Sequence, residues 1–454
     1  MNALFARHAL LPEGWRRDVH IEWDGNGDLL AVTPDAAPPP GVRAAGLVMP
    51  GMVNLHSHAF QRALGGLTET AGEGPDSFWT WRDLMYRFAR NITPEHIEAI
   101  AAQLFSECLR HGYTSVCEFH YVQRDQQGAM YARPAETGER VVAASKAAGI
   151  GITMLPVLYS YSGFGEQPLK PEQNRFRTDA ADILRIIESL EPLRDAQTEV
   201  GVAPHSLRAA SIGQVREVLA SLPGGRPVHI HIAEQQAEVQ QSLAQTGARP
   251  VRYLMDNIDI DARWCLVHAT HLDEHEVARL AASGAVAGLC PTTEANLGDG
   301  IFPADTYLGG ASPGRIGIGS DSHVSVSVAE ELRMLEYGQR LTRNRRAALA
   351  AEGQPSPGTR LYTEAAEGGA QALGLNAGRI APGCRADLIA LDPEHPALWN
   401  KSPAQALDAW IFAGDSACVR DVMVGGEWRV RGRVHPREAD LARRFRAAQA
   451  ALIG

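Results

Sequence analysis

Pro50-Gly51-Met52-Val53-Asn54-Leu55-His56-Ser57-His58-Ala59-Phe60-Gln61-Arg62 is the stretch on which the reading of this chain turns. An apolar run from Ala45 to Val53, with β-branched members, reads as a buried strand that ends in two histidines. Residues two apart on a strand project from one face, so His56 and His58 can point at a single ion. Two histidines at this spacing are common in solvated loops. The rest of the chain has to supply their partners.

Around this stretch lie 454 residues, 45% hydrophobic and 21% charged, enough for one large α/β body with an accessory domain. The formal net charge of -10 provides no basic field for nucleic acid or for an anionic membrane. Cys108, Cys117, Cys265, Cys290, Cys384 and Cys418 contain no Cys-x-x-Cys, so reduced, buried thiols in a cytoplasmic protein are expected. The first residues lack a charged segment followed by an apolar core, and no secretory signal is expected. No apolar run is long enough to span a bilayer.

Upstream of the quoted stretch the chain reads as short strands and turns, and Pro38-Pro39-Pro40-Gly41 forms a stiff connection. Downstream, to about Leu375, short apolar strands alternate with amphipathic helices. Thr93 and Pro94 open one helix that Gly112 closes. Strands follow at Thr114–Phe119, Ile150–Leu158, Glu199–Ala203, Val228–Ile232, Trp264–His268, Val286–Cys290 and Ile316–Gly319. Such alternation predicts an α/β fold, a parallel (β/α)8 TIM-like barrel. After Leu375 strands are expected to return without helices between them, including a hairpin over 419–430 with a Gly-Gly turn. Neither terminal segment can bury a core alone. Residues 1–48 and 378–435 are therefore expected to pair into a small composite β-sandwich around a barrel of 49–377, with 436–454 a C-terminal helix.

Barrel strand tips converge on one face, so polar residues there are read together. They are His56 and His58, His205, His231 with Glu234, His268, and Asp321. His56, His58, His231 and Asp321 are candidate ligands for zinc, which favours nitrogen with a carboxylate and keeps a position for water. Bound water would ionise near pH 7, and its hydroxide could attack an electrophilic carbon. Glu234 is placed to shuttle a proton, His268 to donate a hydrogen bond to developing charge, and Asp321 to orient the nucleophile. No lysine stands at a mid-barrel strand end to form a bridging carbamate, which favours one metal. His229 is a rival ligand placed behind His231, while His271 and His323 read as orienting or packing residues. The phosphate-loop, His-Glu-x-x-His and Pro-Cys-x-x-Cys signatures are absent.

The His-x-His strand, His231-Ile232-Ala233-Glu234, the Ser320-Asp321-Ser322 strand end and the closing Gly383 to Ile389 segment resemble the amidohydrolase superfamily along almost the whole chain. Asn54 to Ala63, Glu118 to Tyr121, Ala203 to Arg208, Cys290 to Gly300 and Gly319 to His323 are similar, more narrowly, to the formimidoylglutamate deiminases of histidine degradation. The resemblance implies one zinc ion on His56, His58, His231 and Asp321, assisted by Glu234 and His268. It also implies deimination of N-formimino-L-glutamate to N-formyl-L-glutamate and ammonia, and a homodimer. Two substrate carboxylates call for cationic or donor groups. Arg208 on the loop after His205 reads as one, the family pattern adds Arg82, Gln61 and Tyr121, and the strand-end His205 is placed with them at the substrate. Gln123-Arg124 departs from that pattern and is expected to alter the pocket rim. Glu69 to Asp76 reads as a mobile loop. Two alternatives stand beside this reading: a deaminase of a nucleobase or adenosine-type ring, and a barrel that has lost catalysis.

Overall fold

The computed structural model describes residues 2–38, 45–67, 69 and 78–453. Eight parallel strands form the central body: β1 (Met52–Ser57), β2 (Tyr113–His120), β3 (Gly151–Leu158), β4 in two pieces (Thr198–Val200 and Ala203–Pro204), β5 (Val228–Ile232), β6 (Trp264–His268), β7 (Val286–Leu289) and β8 (Arg315–Ile318). Hydrogen-bonded neighbours run from β5 through β8 to β1 and on to β4. The ring closes where Val202 bridges Val228 in parallel, and where the His231 amide donates to the His205 carbonyl at 3.1 Å. β1 to β3 and β5 to β7 are buried throughout, as strands covered on both faces must be.

Helices between the strands follow their local signals. Thr93 caps Pro94–Arg110, and Ser211 and Asp273 form capping boxes at the starts of Ile212–Ser221 and Glu274–Ser283. Pro357–Ala372 packs on β8, β1 and β7. At Gly319 an added Cβ would lie 2.8 Å from the His56 backbone nitrogen, so the end of β8 can approach β1 only with glycine there.

Both chain ends join a second sheet of seven strands, in the order Glu427–Val430, Val419–Val424, Leu388–Leu391, Ala45–Pro50, Asn2–Leu11, Gly14–Trp23, Leu29–Thr33. The composite terminal domain is thus one continuous mixed sheet by strand pairing, with its own small apolar core. Its hairpin turns at Gly425 and Gly426, both with positive φ.

Two expectations are corrected. Ala45 to Val53 is two strands: Ala45–Pro50 belongs to the terminal sheet and Met52–Ser57 to the barrel. Gly51 is the break, its amide donating to the Asp387 carbonyl and its Cα lying where a side chain would strike Thr114. Helix Pro403–Ala413 also interrupts the C-terminal strands, started by a Ser402 capping box with Pro403 in its first turn. The C-terminal helix, Glu438–Ile453, lies against Pro94–Arg110 and is joined to it by Arg444 and Glu98 at 2.7 Å. Residues 39–41 of the proline-rich connection, and Glu69 to Asp76 apart from Glu69, lie outside the described residues. Among those described, no helix is long and apolar enough to cross a membrane.

Candidate active site

At the C-terminal mouth of the barrel, three imidazoles turn the same ring atom toward one point. His56 Nε2 is 3.2 Å from His58 Nε2 and 2.9 Å from His231 Nε2. Asp321 Oδ1 is 3.5 Å from His56 Nε2 and 3.4 Å from His58 Nε2. Burial holds His56 down to about 3, and His58 and His231 also below their usual value, so all three rings are neutral near pH 7. His58 Nδ1 faces the Phe119 carbonyl at 2.9 Å and His231 Nδ1 faces the His205 carbonyl at 3.1 Å. A carbonyl can only accept, so Nδ1 carries the proton and each Nε2 keeps its lone pair. Converging lone pairs beside a carboxylate are repulsive unless a cation lies among them. The donor set fits zinc.

Asp321 turns its other oxygen, Oδ2, to His268 Nε2 at 3.6 Å, and His268 Nε2 is 3.8 Å from Glu234 Oε1. His268 Nδ1 meets Glu294 Oε1 at 3.3 Å. Burial opposes charge on His268, but Glu234, Glu294 and Asp321 together bring its pKa up to about 10. Burial raises the Glu234 carboxyl, with His268 and Arg208 opposing. Burial also pushes Asp321 up, yet the surrounding imidazoles hold it well below the usual carboxylate range. The mouth therefore sets Asp321, held anionic, beside Glu234, whose carboxyl burial raises, the separation that acid–base chemistry uses.

Glu234 Oε2 is 3.8 Å from Arg208 Nη2, and both residues are buried. Gln61 Nε2 donates to the Tyr121 hydroxyl at 2.6 Å, and the Tyr121 ring meets His58 edge-on at 4.9 Å. The His205 ring lies 4.9 Å from that of His231 and 4.7 Å from that of Tyr159. One cleft is lined by Gln61, Arg82, Tyr121, His205, Arg208, His58, His231, Glu234, His268 and Asp321, with His56 buried behind. All the residues expected at the site thus gather there.

Other expectations meet different surroundings. His229 shares the face of His231 but lies deeper in the barrel, its Nε2 at 2.7 Å from the Ala372 carbonyl, and it does not reach the cluster. His271 Nε2 faces the Asp299 carbonyl. Gln123 and Arg124 are not at the rim: Gln123 donates to the His120 carbonyl, and Arg124 pairs with Asp182 at 2.8 Å. Both are buried structural ties, which corrects the expectation of an altered rim. Glu69 accepts from Asn296 at 2.8 Å.

Sequence reading missed Glu294 as the partner of His268, and Tyr159 and Phe176 in the cleft wall. It also missed the strain. Ala233, His268, Ala269, Asp321 and His323 all have φ between 48° and 66° or, for Asp321, 47°. Each non-glycine residue held there costs about 1–3 kcal/mol, and such residues gather where function fixes the backbone.

Residues 47–429 match the Amidohydrolase family, and residues 1–45 match the N-terminal domain of formimidoylglutamate deiminase HutF. Formimidoylglutamate deiminase of Pseudomonas aeruginosa is 54% identical over 98% of both chains. A 5-methylthioadenosine/S-adenosylhomocysteine deaminase of Natronomonas pharaonis is 30% identical over 92% of this chain and 90% of its own. The crystal structure of an amidohydrolase from Brucella melitensis superposes with a TM-score of 0.94 at 43% identity, covering all of both chains. An adenosine deaminase from Xanthomonas campestris with bound zinc, 24% identical over 99% of this chain and 98% of its own, superposes at 0.79 and shares the fold.

Proposed function

Because the chain belongs to the amidohydrolase family, and within it to the formimidoylglutamate deiminases, we propose that it hydrolyses N-formimino-L-glutamate to N-formyl-L-glutamate and ammonia in histidine degradation. The observation that carries the substrate choice is a cationic wall. Arg82 and Arg208 line the same cleft as His58 and His231, and a dicarboxylate needs such groups where a neutral ring does not.

His56, His58, His231 and Asp321 would hold one zinc ion. That ion would act as a Lewis acid and lower the pKa of a water to roughly 7. Asp321 Oδ2 stands toward His268 and can orient that water and take its proton. Water adds to the amidine-like formimino carbon, giving a tetrahedral centre. Glu234 carries protons to the imine nitrogen, which leaves as ammonia while the carbon becomes a formyl group. His268, raised toward its charged form by the carboxylates around it, donates to the oxygen that the formimino carbon gains from water. Arg208 and Arg82 receive the substrate carboxylates, and Gln61, Tyr121 and His205 border the chain between the two ends.

Arg208→Ala is expected to raise KM roughly 10- to 100-fold, the worth of a charge-assisted hydrogen bond. It should lower kcat as well, since Arg208 also faces Glu234. Steady-state assays with kcat/KM unchanged would remove Arg208 from the carboxylate site.

A ring deaminase is the second reading, favoured by Tyr121, Tyr159 and Phe176 in the cleft wall, which could stack on a base. Ammonia release from formiminoglutamate and from adenosine derivatives, measured on one zinc-quantified sample, decides between them. Turnover of the ring substrates alone would overturn the deiminase assignment. A homodimer and a cytoplasmic site complete the proposal; the six cysteines are buried and unpaired, which suits a reducing compartment. Light scattering should give the mass of two chains, and a single-chain mass would reject the dimer.

A further inference from the structure

We propose that a buried row of side chains, Glu118, Ser57, His323, Ser320 and Asn54, is a positioning device that holds His56, His58 and Asp321 in the register a cation needs. It rests on the metal reading of the site and adds to it residues that touch neither substrate nor ion.

The row is interleaved with the ligands. Ser57 lies between His56 and His58, Ser320 precedes Asp321, and His323 follows it by two. Ser57 Oγ is 2.5 Å from Glu118 Oε2 and 3.1 Å from His323 Nε2. His323 Nδ1 is 2.8 Å from Ser320 Oγ, to which Asn54 Nδ2 donates at 2.7 Å. All five residues are at most 1% exposed, and none lines the cleft.

Proton bookkeeping gives the row one direction. Asn54 Oδ1 accepts the Ser320 amide at 3.0 Å, so its Nδ2 is the donor to Ser320 Oγ. The Ser320 hydroxyl proton then goes to His323 Nδ1, leaving the imidazole proton on Nε2. That proton goes to Ser57 Oγ, and the Ser57 hydroxyl donates to Glu118 Oε2. Glu118 Oε1 takes the Ala59 amide at 2.8 Å. Every donor is used once, and the row ends on a carboxylate that only accepts. Burial pushes the Glu118 carboxyl up to about 8 even with the Ser57 hydroxyl and the Ala59 amide opposing it; the direction of the row rests on geometry, one donor on each carboxylate oxygen.

A buried polar row is costlier than an apolar filling of the same volume unless it specifies something. Here it spans a strained turn. Asp321 and His323 have φ of 47° and 61°, and the turn is tied to β1 by the Asp321 amide on the His56 carbonyl and the His58 amide on the Asp321 carbonyl. Backbone bonds fix the spacing of the strands, and the row fixes the tilt of the turn that carries Asp321. Outer partners of metal ligands are worth about 10–100-fold in metal affinity.

The test measures zinc affinity by chelator competition and, separately, the unfolding midpoint of the metal-free protein. The amide of Glu118→Gln can accept from Ala59 but must donate to Ser57, which reverses the row and leaves the Ser320 proton without an acceptor. It should weaken zinc binding about 10–100-fold, with the metal-free midpoint lower by only about a few degrees, the cost of one unpaired buried hydroxyl. His323→Leu should do the same, whereas His323→Gln, which restores one acceptor and one donor, should recover most of the loss. Folded Glu118→Gln and His323→Leu proteins that bind zinc as tightly as the unaltered chain overturn the proposal. If either fails to fold, Ser57→Ala removes the central link with a smaller change, and unweakened zinc binding there overturns it equally. Should the unaltered protein bind no zinc, the metal reading of the site falls first, and this inference with it.

Discussion

Glu234→Gln should leave zinc content and fold intact while lowering kcat by about 10²- to 10⁴-fold, the contribution typical of a placed general acid–base. The replacement keeps size and hydrogen-bonding reach, and Glu234 is outside the His56, His58 and His231 cluster. What disappears is a group that can hold a proton and release it. Burial already raises the Glu234 carboxyl, and His268 and Arg208 temper that rise, which is the tuning the role needs. Rapid-mixing and steady-state assays on a variant of verified metal content would show the loss in kcat, with KM little changed. A variant within a few-fold of the unaltered enzyme would move the proton transfer to another group.

The second large effect is loss of the metal. Chelation should bring turnover to background, and stoichiometric zinc should restore it. His231→Ala should not recover, because the cluster loses one of three converging nitrogens and the bond to the His205 carbonyl that orients it. Elemental analysis gives the second readout: about one zinc per unaltered chain and far less in His231→Ala after the same dialysis. Full turnover by verified metal-free protein would sink the zinc mechanism. The thermal midpoint of His231→Ala should stay near that of the metal-free parent, since the position lies at the cleft and strand β5 is held by backbone bonds to β6.

How much of this was legible beforehand differs from residue to residue. Helix Pro94–Arg110 was readable from Thr93, Pro94 and its periodicity, because capping is local. Helix Pro403–Ala413 carried equally local signals in Ser402 and Pro403, but its apolar sequence also suits a strand, and the neighbouring strands hid it. Gly51 reads as part of one strand, because nothing in the neighbouring residues marks a change of sheet there. His229 and His231 have the same spacing, strand and residue type. Their separation into a deep structural residue and a mouth residue depends on which end of the strand faces the cleft.

By itself, the sequence determined the barrel class, the composite terminal domain and the set of strand-end residues from which a metal site could be drawn. Hydrophobic periodicity and the polar residue that ends each strand are properties of a few consecutive positions, so they survive without coordinates. Only the tertiary structure decided which nitrogens face one another, since His56 and His231 are 175 positions apart and meet through ring closure. It likewise decided the pairing of His268 with Glu294, the approach of Arg208 to Glu234, and the left-handed turn of Asp321 supported by the row from Glu118 to Asn54. Those contacts are set by strand order, register and the tilt of turns between strands. A backbone held at positive φ by long-range hydrogen bonds leaves no mark on a histidine or an aspartate in the chain.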